Sequence, residues 1–196
     1  MGSAMIEIDS LEKIWEDYQA DINFTHLSAI SNFVPGEGNK NASLFFIGEA
    51  PGVLENELKR PFVGKSGKLL TSCLLRIGLA RSDVWITNVV KYRPPGNRDP
   101  HPFEIEASTP FLRREIKIIK PKILVPLGRI ALDLIVPGAR IGTSQGQLTY
   151  TANNFPVFPL FHPSYVLRGG ERTKEMYLQS FERLLHLLQE KEVNAN

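Results

Sequence analysis

The sequence predicts an α/β fold, a three-layer α-β-α sandwich with a central, mainly parallel sheet of about four strands. Three observations carry this reading. Four short apolar runs have the look of buried strands, helical periodicities separate the first three, and the chain suits one core. Its 196 residues are 42% hydrophobic and 22% charged, an ordinary globular balance and enough for one well-buried core. Residues 6–196 are therefore read as a single domain, and the opening MGSAM (1–5) as a cloning remnant.

The elements follow in order. The acidic stretch IDSLEKIWEDYQADI spaces its apolar residues as an amphipathic helix does. SLFFIGE (43–49) is the first strand. Leu69, Leu70, Cys73, Leu74 and Ile77 then recur on one face of a helix over 66–79. VWITNVV (84–90) is the second strand, and a helical pattern over 102–119 follows it. Pro110 has no N–H to give, so a kink or two short helices are expected there. KILVPLG (122–128) is the third strand, with RIALDLI a short helix behind it. A strand-like GQLTYT (146–151) precedes the fourth main strand, VFPLFH (157–162). The tail from Arg172 to Glu190 puts Tyr177, Phe181, Leu184 and Leu188 on one helical face. Strands alternating with helices imply βαβ units and a parallel sheet covered on both sides. A binding site is then expected beyond the carboxyl ends of the strands.

Composition excludes several function classes. No apolar run approaches the roughly 18 residues of a membrane span, and no charged-then-apolar leader is present; a cytoplasmic, monomeric protein with no membrane partner is expected. Cys73 is the only cysteine, which forbids an internal disulfide or a multi-cysteine metal site. Its helical spacing among leucines assigns it to the core. Residues 1–57 hold ten acids against two bases, and residues 58–196 hold eleven acids against twenty-one bases. Such asymmetry suggests a polyanionic partner for the second part.

At the strand ends the sequence places a carboxylate, a carboxamide and an imidazole. Glu49 closes the first strand in GEAPG, Asn88 lies near the end of the second before KYRPPGNR, and His162 closes the fourth. RPFVGKSGK brings Phe62 among Arg60, Lys65 and Lys68. Each residue has an ordinary structural reading: a capping Asn, a core Phe, a hydrogen-bonded His, a solvated basic face. Their joint occurrence beside basic loops points to a site.

Three long motifs in order, GEAPGVLENELKRPFVGKSG, TNVVKYRPPGNR and HPSYVLR, closely resemble the uracil-DNA glycosylase superfamily, in particular its family 4. The likeness runs from VPGEGN (34–39) to the C-terminal helix. It implies a DNA glycosylase that hydrolyses uracil from DNA, single- or double-stranded, after flipping the nucleotide out of the stack. On this resemblance Phe62 stacks on the base, Asn88 reads its edge, and Glu55 crowds C5 against a thymine methyl. His162 and the backbone N–H beside Ala50 face uracil O2, where negative charge grows as the bond breaks. Glu49 is the nearest carboxylate for positioning water, or else a structural hydrogen-bonder. Val166, Leu167 and Arg168 match a loop that fills the gap left by the flipped nucleotide. Lys91, Arg93 and Arg98, with Arg60 and Lys65, are expected along the DNA backbone.

The sequence also departs from the family. Family 4 carries four cysteines that ligate a [4Fe–4S] cluster; here the third falls at Tyr92, the fourth at Ser108, and the N-terminal pair near Ile22 and Thr25. No iron–sulfur cluster or other cofactor is therefore expected, with packing around Tyr92 in its place. Asn56 and Lys59 replace a usual aspartate and a usual glycine. Two alternatives stay open: the same fold acting on another deaminated base such as hypoxanthine, and a catalytically silent DNA-binding module.

Overall fold

The computed structural model describes residues 9–193. The expected cloning remnant at 1–5 lies outside the described residues. Six strands form one sheet: β1 (Glu37–Gly38), β2 (Leu44–Gly48), β3 (Trp85–Asn88), β4 (Ile123–Pro126), β5 (Thr149–Tyr150) and β6 (Pro156–Val157), in the order β1-β3-β2-β4-β6-β5. Three of the apolar runs make the parallel centre, β3-β2-β4. The fourth, expected over 157–162, gives only Val157 to β6, beside β4; past Pro159 it pairs once more, as a single Leu160–Leu127 bridge, so His162 caps α8 and does not close a strand. The two additions to the expected four are antiparallel edges of two residues each. β5 falls within GQLTYT. β1 is half-exposed and has no apolar run to announce it, because an edge strand buries little.

Nine helices are described: α1 (Leu11–Ala20), α2 (Thr25–Ser28), α3 (Val53–Leu58), α4 (Lys65–Arg76), α5 (Pro102–Ile119), α6 (Arg129–Ile135), α7 (Ile141–Ser144), α8 (Pro163–Arg168) and α9 (Glu171–Val193). The pleat of β2 sorts them into two layers. Leu44 and Phe46 share a core with Leu70, Cys73 and Leu74 of α4 and with Tyr177, Phe181, Leu184 and Leu188 of α9. Phe45 and Ile47 point the other way, into a core with Leu11, Ile14 and Tyr18 of α1 and Phe111, Leu112 and Ile119 of α5. Alternate residues on opposite faces, all buried, is what a central parallel strand requires. Among the described residues no helix is long and apolar enough to cross a membrane.

Two elements differ from expectation. Pro110 lies inside α5 without splitting it. Pro110 and Glu106, whose carbonyl it cannot serve, are both exposed, so water can take the freed acceptor and the helix stays whole. The segment after His162 is the helix α8 and not an open loop. Pro163 sits at its first position, where no N–H is needed.

Around Tyr92, where the resemblance implied a cluster cysteine, this chain packs rings. Tyr18 stacks on Phe24 at 4.1 Å and meets Phe111 edge-on at 4.9 Å and Tyr92 at 5.9 Å. Its hydroxyl lies 2.8 Å from the Ser108 hydroxyl. Tyr92 and Ser108 are buried, and neither offers the thiolate that an iron–sulfur cluster needs. The residues present do not fit such a cluster. Among the described residues no group of three or more His, Cys, Asp or Glu is placed to hold a metal ion.

Candidate active site

A cavity of about 570 Å³ opens at the carboxyl ends of β2 and β3, where a parallel α/β sheet is expected to bind ligands. Glu49 and Ala50 follow β2, Asn88 ends β3, and Glu55 comes from α3. Phe62 precedes α4, Lys65 begins it, and His162 and Arg168 bracket α8. All eight line the one cavity.

The floor is built by close approach. Gly48 and Asn88 are partners in the β2–β3 ladder. A Cβ on Gly48 would lie 2.3 Å from Asn88 Oδ1 and 2.4 Å from Phe62 Cζ, so only glycine lets the amide and the ring meet there. Asn88 is 2% exposed, and its Oδ1 is a buried acceptor with no partner. An orphan of that kind costs about 1–3 kcal/mol, and a ligand N–H would relieve it. Phe62 holds a left-handed backbone, φ 53°, rare for an aromatic residue and concentrated at functional sites. Two side chains lock it. Arg81 donates from Nη1 to the Phe62 carbonyl at 2.8 Å and from Nη2 to the Pro61 carbonyl at 2.7 Å. Glu55 Oε1 accepts the N–H groups of Val63 and Gly64 at 2.9 and 2.7 Å. Glu55 thus shapes the Phe62 turn as well as lining the cavity.

The His162 ring lies 5.9 Å from that of Phe62. The Ser164 backbone N–H donates to Nδ1 at 3.2 Å, and the Ser164 hydroxyl is 2.8 Å away. A backbone amide only donates, so Nδ1 is an acceptor and the neutral ring carries its proton on Nε2. Burial, reinforced by the Arg168 charge, lowers the imidazole from 6.5 to about 4. Glu49 moves the other way: burial, then the neighbouring Asp99 carboxylate, raise it from 4.5 to about 7, with Arg129 opposing. An acid poised near neutrality and a neutral N–H donor in one cleft are groups suited to acid–base and oxyanion chemistry.

The residues expected along DNA are scattered. Lys65, Arg98 and Arg168 line the cavity, but Arg98 is a bidentate partner of Glu104 at 2.8 and 2.9 Å. Although burial pushes Glu104 up, Arg98, His26 and the His101 N–H hold it down at about 2, so this pair is firmly ionised. Arg60 is exposed and paired with Glu37 at 2.8 Å, and Arg93 bonds Asn97 at 2.6 Å. Leu167 is exposed on α8. Two expectations are overturned. Lys91 is 1% exposed and ion-paired with Glu115, so no phosphate reaches it. Val166 is 0% exposed within the α4–α9 core, because α8 turns it inward, and it cannot enter a helix of DNA. Sequence reading missed Arg81, Ser164 and Asp99. Only Ser164, two residues after a histidine and next to a helix-starting proline, left a local signal. Lys59, at the usual glycine, takes the left-handed C-cap of α3 at φ 53°, which is why glycine is usual there.

Comparisons with known proteins agree with the geometry. A family model, the Uracil DNA glycosylase superfamily, matches residues 35–186. A Type-4 uracil-DNA glycosylase of Sulfurisphaera tokodaii is 44% identical over 171 residues, 82% of this chain and 77% of that one. One of Thermotoga maritima is 42% identical over 156 residues, 78% of this chain and 81% of its own. One of Saccharolobus solfataricus is 47% identical over 146 residues, covering 69% and 67%. The matched segment spans the whole cavity from Glu49 to Arg168, so the fold, the sheet-end site and the similarity converge, and the chain belongs to the uracil-DNA glycosylase superfamily.

Proposed function

We propose that the protein is a monofunctional uracil-DNA glycosylase that hydrolyses the N-glycosidic bond of a flipped-out deoxyuridine, leaves an abasic site for base excision repair, and works without an iron–sulfur cluster. The observation that carries this is the unpartnered Asn88 Oδ1, buried over Gly48 beside the Phe62 ring. Uracil N3–H is the donor it lacks, and the amide N–H₂ would meet O4; cytosine offers the reverse pattern at both positions. The Phe62 face supplies stacking of about 1–3 kcal/mol per base, which offsets the few kcal/mol of unstacking.

As the bond breaks, electrons move onto the base and charge collects on O2. His162 Nε2–H is a neutral, preorganised donor for that oxygen, stronger toward the transition state than toward the ground state. The sugar turns cationic, and Glu49 is the carboxylate on hand to orient water toward C1′ or to offset that charge. No lysine is needed for the displacement, so the strand is left uncut. Lys65, Arg168 and exposed Leu167 are the side chains proposed to meet DNA around the opening.

The test is release of uracil from an oligonucleotide, read as alkali-sensitive strand cleavage. Cleavage by the wild type, with loss on the order of a hundredfold in Asn88→Asp, is expected. Equal cleavage of a hypoxanthine oligonucleotide would point to a broader base range. Binding without cleavage would leave a DNA-binding module.

A further inference from the structure

Lys91 is a buried cation with no assigned task. Burying an ammonium costs several kcal/mol unless it is paired and hydrogen-bonded. Its Nζ lies 2.9 and 3.0 Å from the Glu115 carboxylate oxygens, donates to the Asn88 carbonyl at 3.0 Å and also bonds Thr87 Oγ1. Burial still pushes the amine below its ordinary value, with Glu115 pulling it back. The frame continues outward. The Lys91 N–H donates to Tyr18 Oη at 3.0 Å, Tyr18 Oη meets Ser108 Oγ at 2.8 Å, and Trp15 Nε1 donates to Glu115 Oε1 at 3.1 Å. Trp15 and Tyr18 belong to α1, upstream of the family-matched segment 35–186.

We propose that Lys91 is a positioning residue for Asn88, and that Glu115 with Trp15 and Tyr18 of α1 forms the frame that fixes it. The need arises at the Asn88 tip. Its Oδ1 has no protein partner, so in the free protein that acceptor anchors nothing. Packing over Gly48 and against Phe62 confines the amide, and the backbone decides where that amide starts. On one side, the ladder with Gly48 sets the strand register. On the other, the Lys91 ammonium grips the Asn88 carbonyl and resists rotation of the 88–89 peptide. That grip is as stiff as its own anchors, which are the buried Glu115 carboxylate and the Trp15 and Tyr18 side chains of α1. This inference rests on the base-reading role proposed for Asn88.

The test is a non-additivity measurement on the full chain. The neutral pair Lys91→Met/Glu115→Gln keeps the volume without stranding a charge, and Tyr18→Phe is the milder variant, removing only the hydroxyl. In the wild-type background each is expected to slow single-turnover uracil release, the pair by about tenfold to a hundredfold, the scale of an ångström misplacement. In the Asn88→Ala background the same changes should cost less than about twofold, because their target is gone. Equal losses in both backgrounds, or no loss in the wild-type background, would overturn the proposal. Amide hydrogen exchange separates the two readings. Opening of 88–92 should speed up at least about tenfold in the pair variant, with the α4 and α9 core unchanged. That response in a protein that releases no uracil would sink the glycosylase reading and keep the brace; unchanged exchange would sink the brace alone.

Discussion

Replacing His162 separates a neutral hydrogen-bond donor from a charged one. The Ser164 amide occupies Nδ1, and burial with the Arg168 charge sets the imidazole at about 4. At pH 7, well above that value, the ring is expected to be largely neutral. The form proposed to act is then the neutral Nε2–H donor. Losing one donor to a developing oxyanion costs about 2.7–4 kcal/mol, or about 10²–10³ in rate. His162→Ala is expected to lose that much in single-turnover uracil release. His162→Gln, which can still present an N–H, should recover about tenfold of it. The rates are to be followed from about pH 5 to 9, with circular dichroism to confirm folding. A rate limb near the ordinary histidine value that persists in Glu49→Gln and disappears in His162→Gln would refute the reasoning, because the ring would then act as a cation. So would a loss below tenfold in His162→Ala. The linkage has a sign. A depressed histidine contributes stability above 6.5 and loses it as pH falls through about 4.

Other predictions follow from the same geometry. Glu49, raised to about 7, should impose a rate that climbs with pH through neutrality if its carboxylate orients water, and Glu49→Gln should flatten that limb in a steady-state profile. Its stability contribution runs the opposite way to that of His162, present below 4.5 and lost as pH rises through about 7. Arg81→Met removes both carbonyl clamps on the strained Phe62 turn. A fall in kcat/KM of about tenfold is expected, since a charged hydrogen bond is worth about 1.5–3 kcal/mol, and Arg81→Lys, without the fork, should restore only part; unchanged kcat/KM would mean that Phe62 needs no clamp. Val166→Ala deletes buried methyls and should cost about 2 kcal/mol, a drop of about 4–8 °C in Tm, with activity intact. Leu167→Ala should leave Tm alone and slow uracil release from duplex more than from single strands, because only a stacked duplex needs a wedge; equal slowing on both would remove Leu167 from that role.

Much of this protein was legible before any coordinates. The apolar runs around Phe46, Ile86 and Val125 marked the strands because a central parallel strand is buried on both faces and must read as continuous hydrophobic sequence, whereas the run around Phe158 overstated a strand that ends at Val157. The stripe from Tyr177 to Leu188 revealed the last helix for the analogous reason of period. Strand order then sends Glu49, Asn88 and His162 to one edge, so the cavity residues could be nominated from topology alone. β1 and α8 were not legible. β1 is a two-residue edge whose partner β3 lies far along the chain, and α8 has six residues, too few to show a helical period.

Sequence by itself determined the layers, the identities of the groups at the strand ends, and the single cysteine that denies the chain a multi-thiolate site. Only tertiary structure decided what each charge does. A lysine beside a proline-rich loop reads as a surface cation until its neighbours are known, and Lys91 proves to be sealed against Glu115, 24 residues away along the chain. The same holds for Arg81, 19 residues from the Phe62 carbonyl it grips, and for Val166, turned into the core by one short helix. Burial and pairing are properties of the space around a side chain, and that space is assembled from parts of the chain that no local pattern connects.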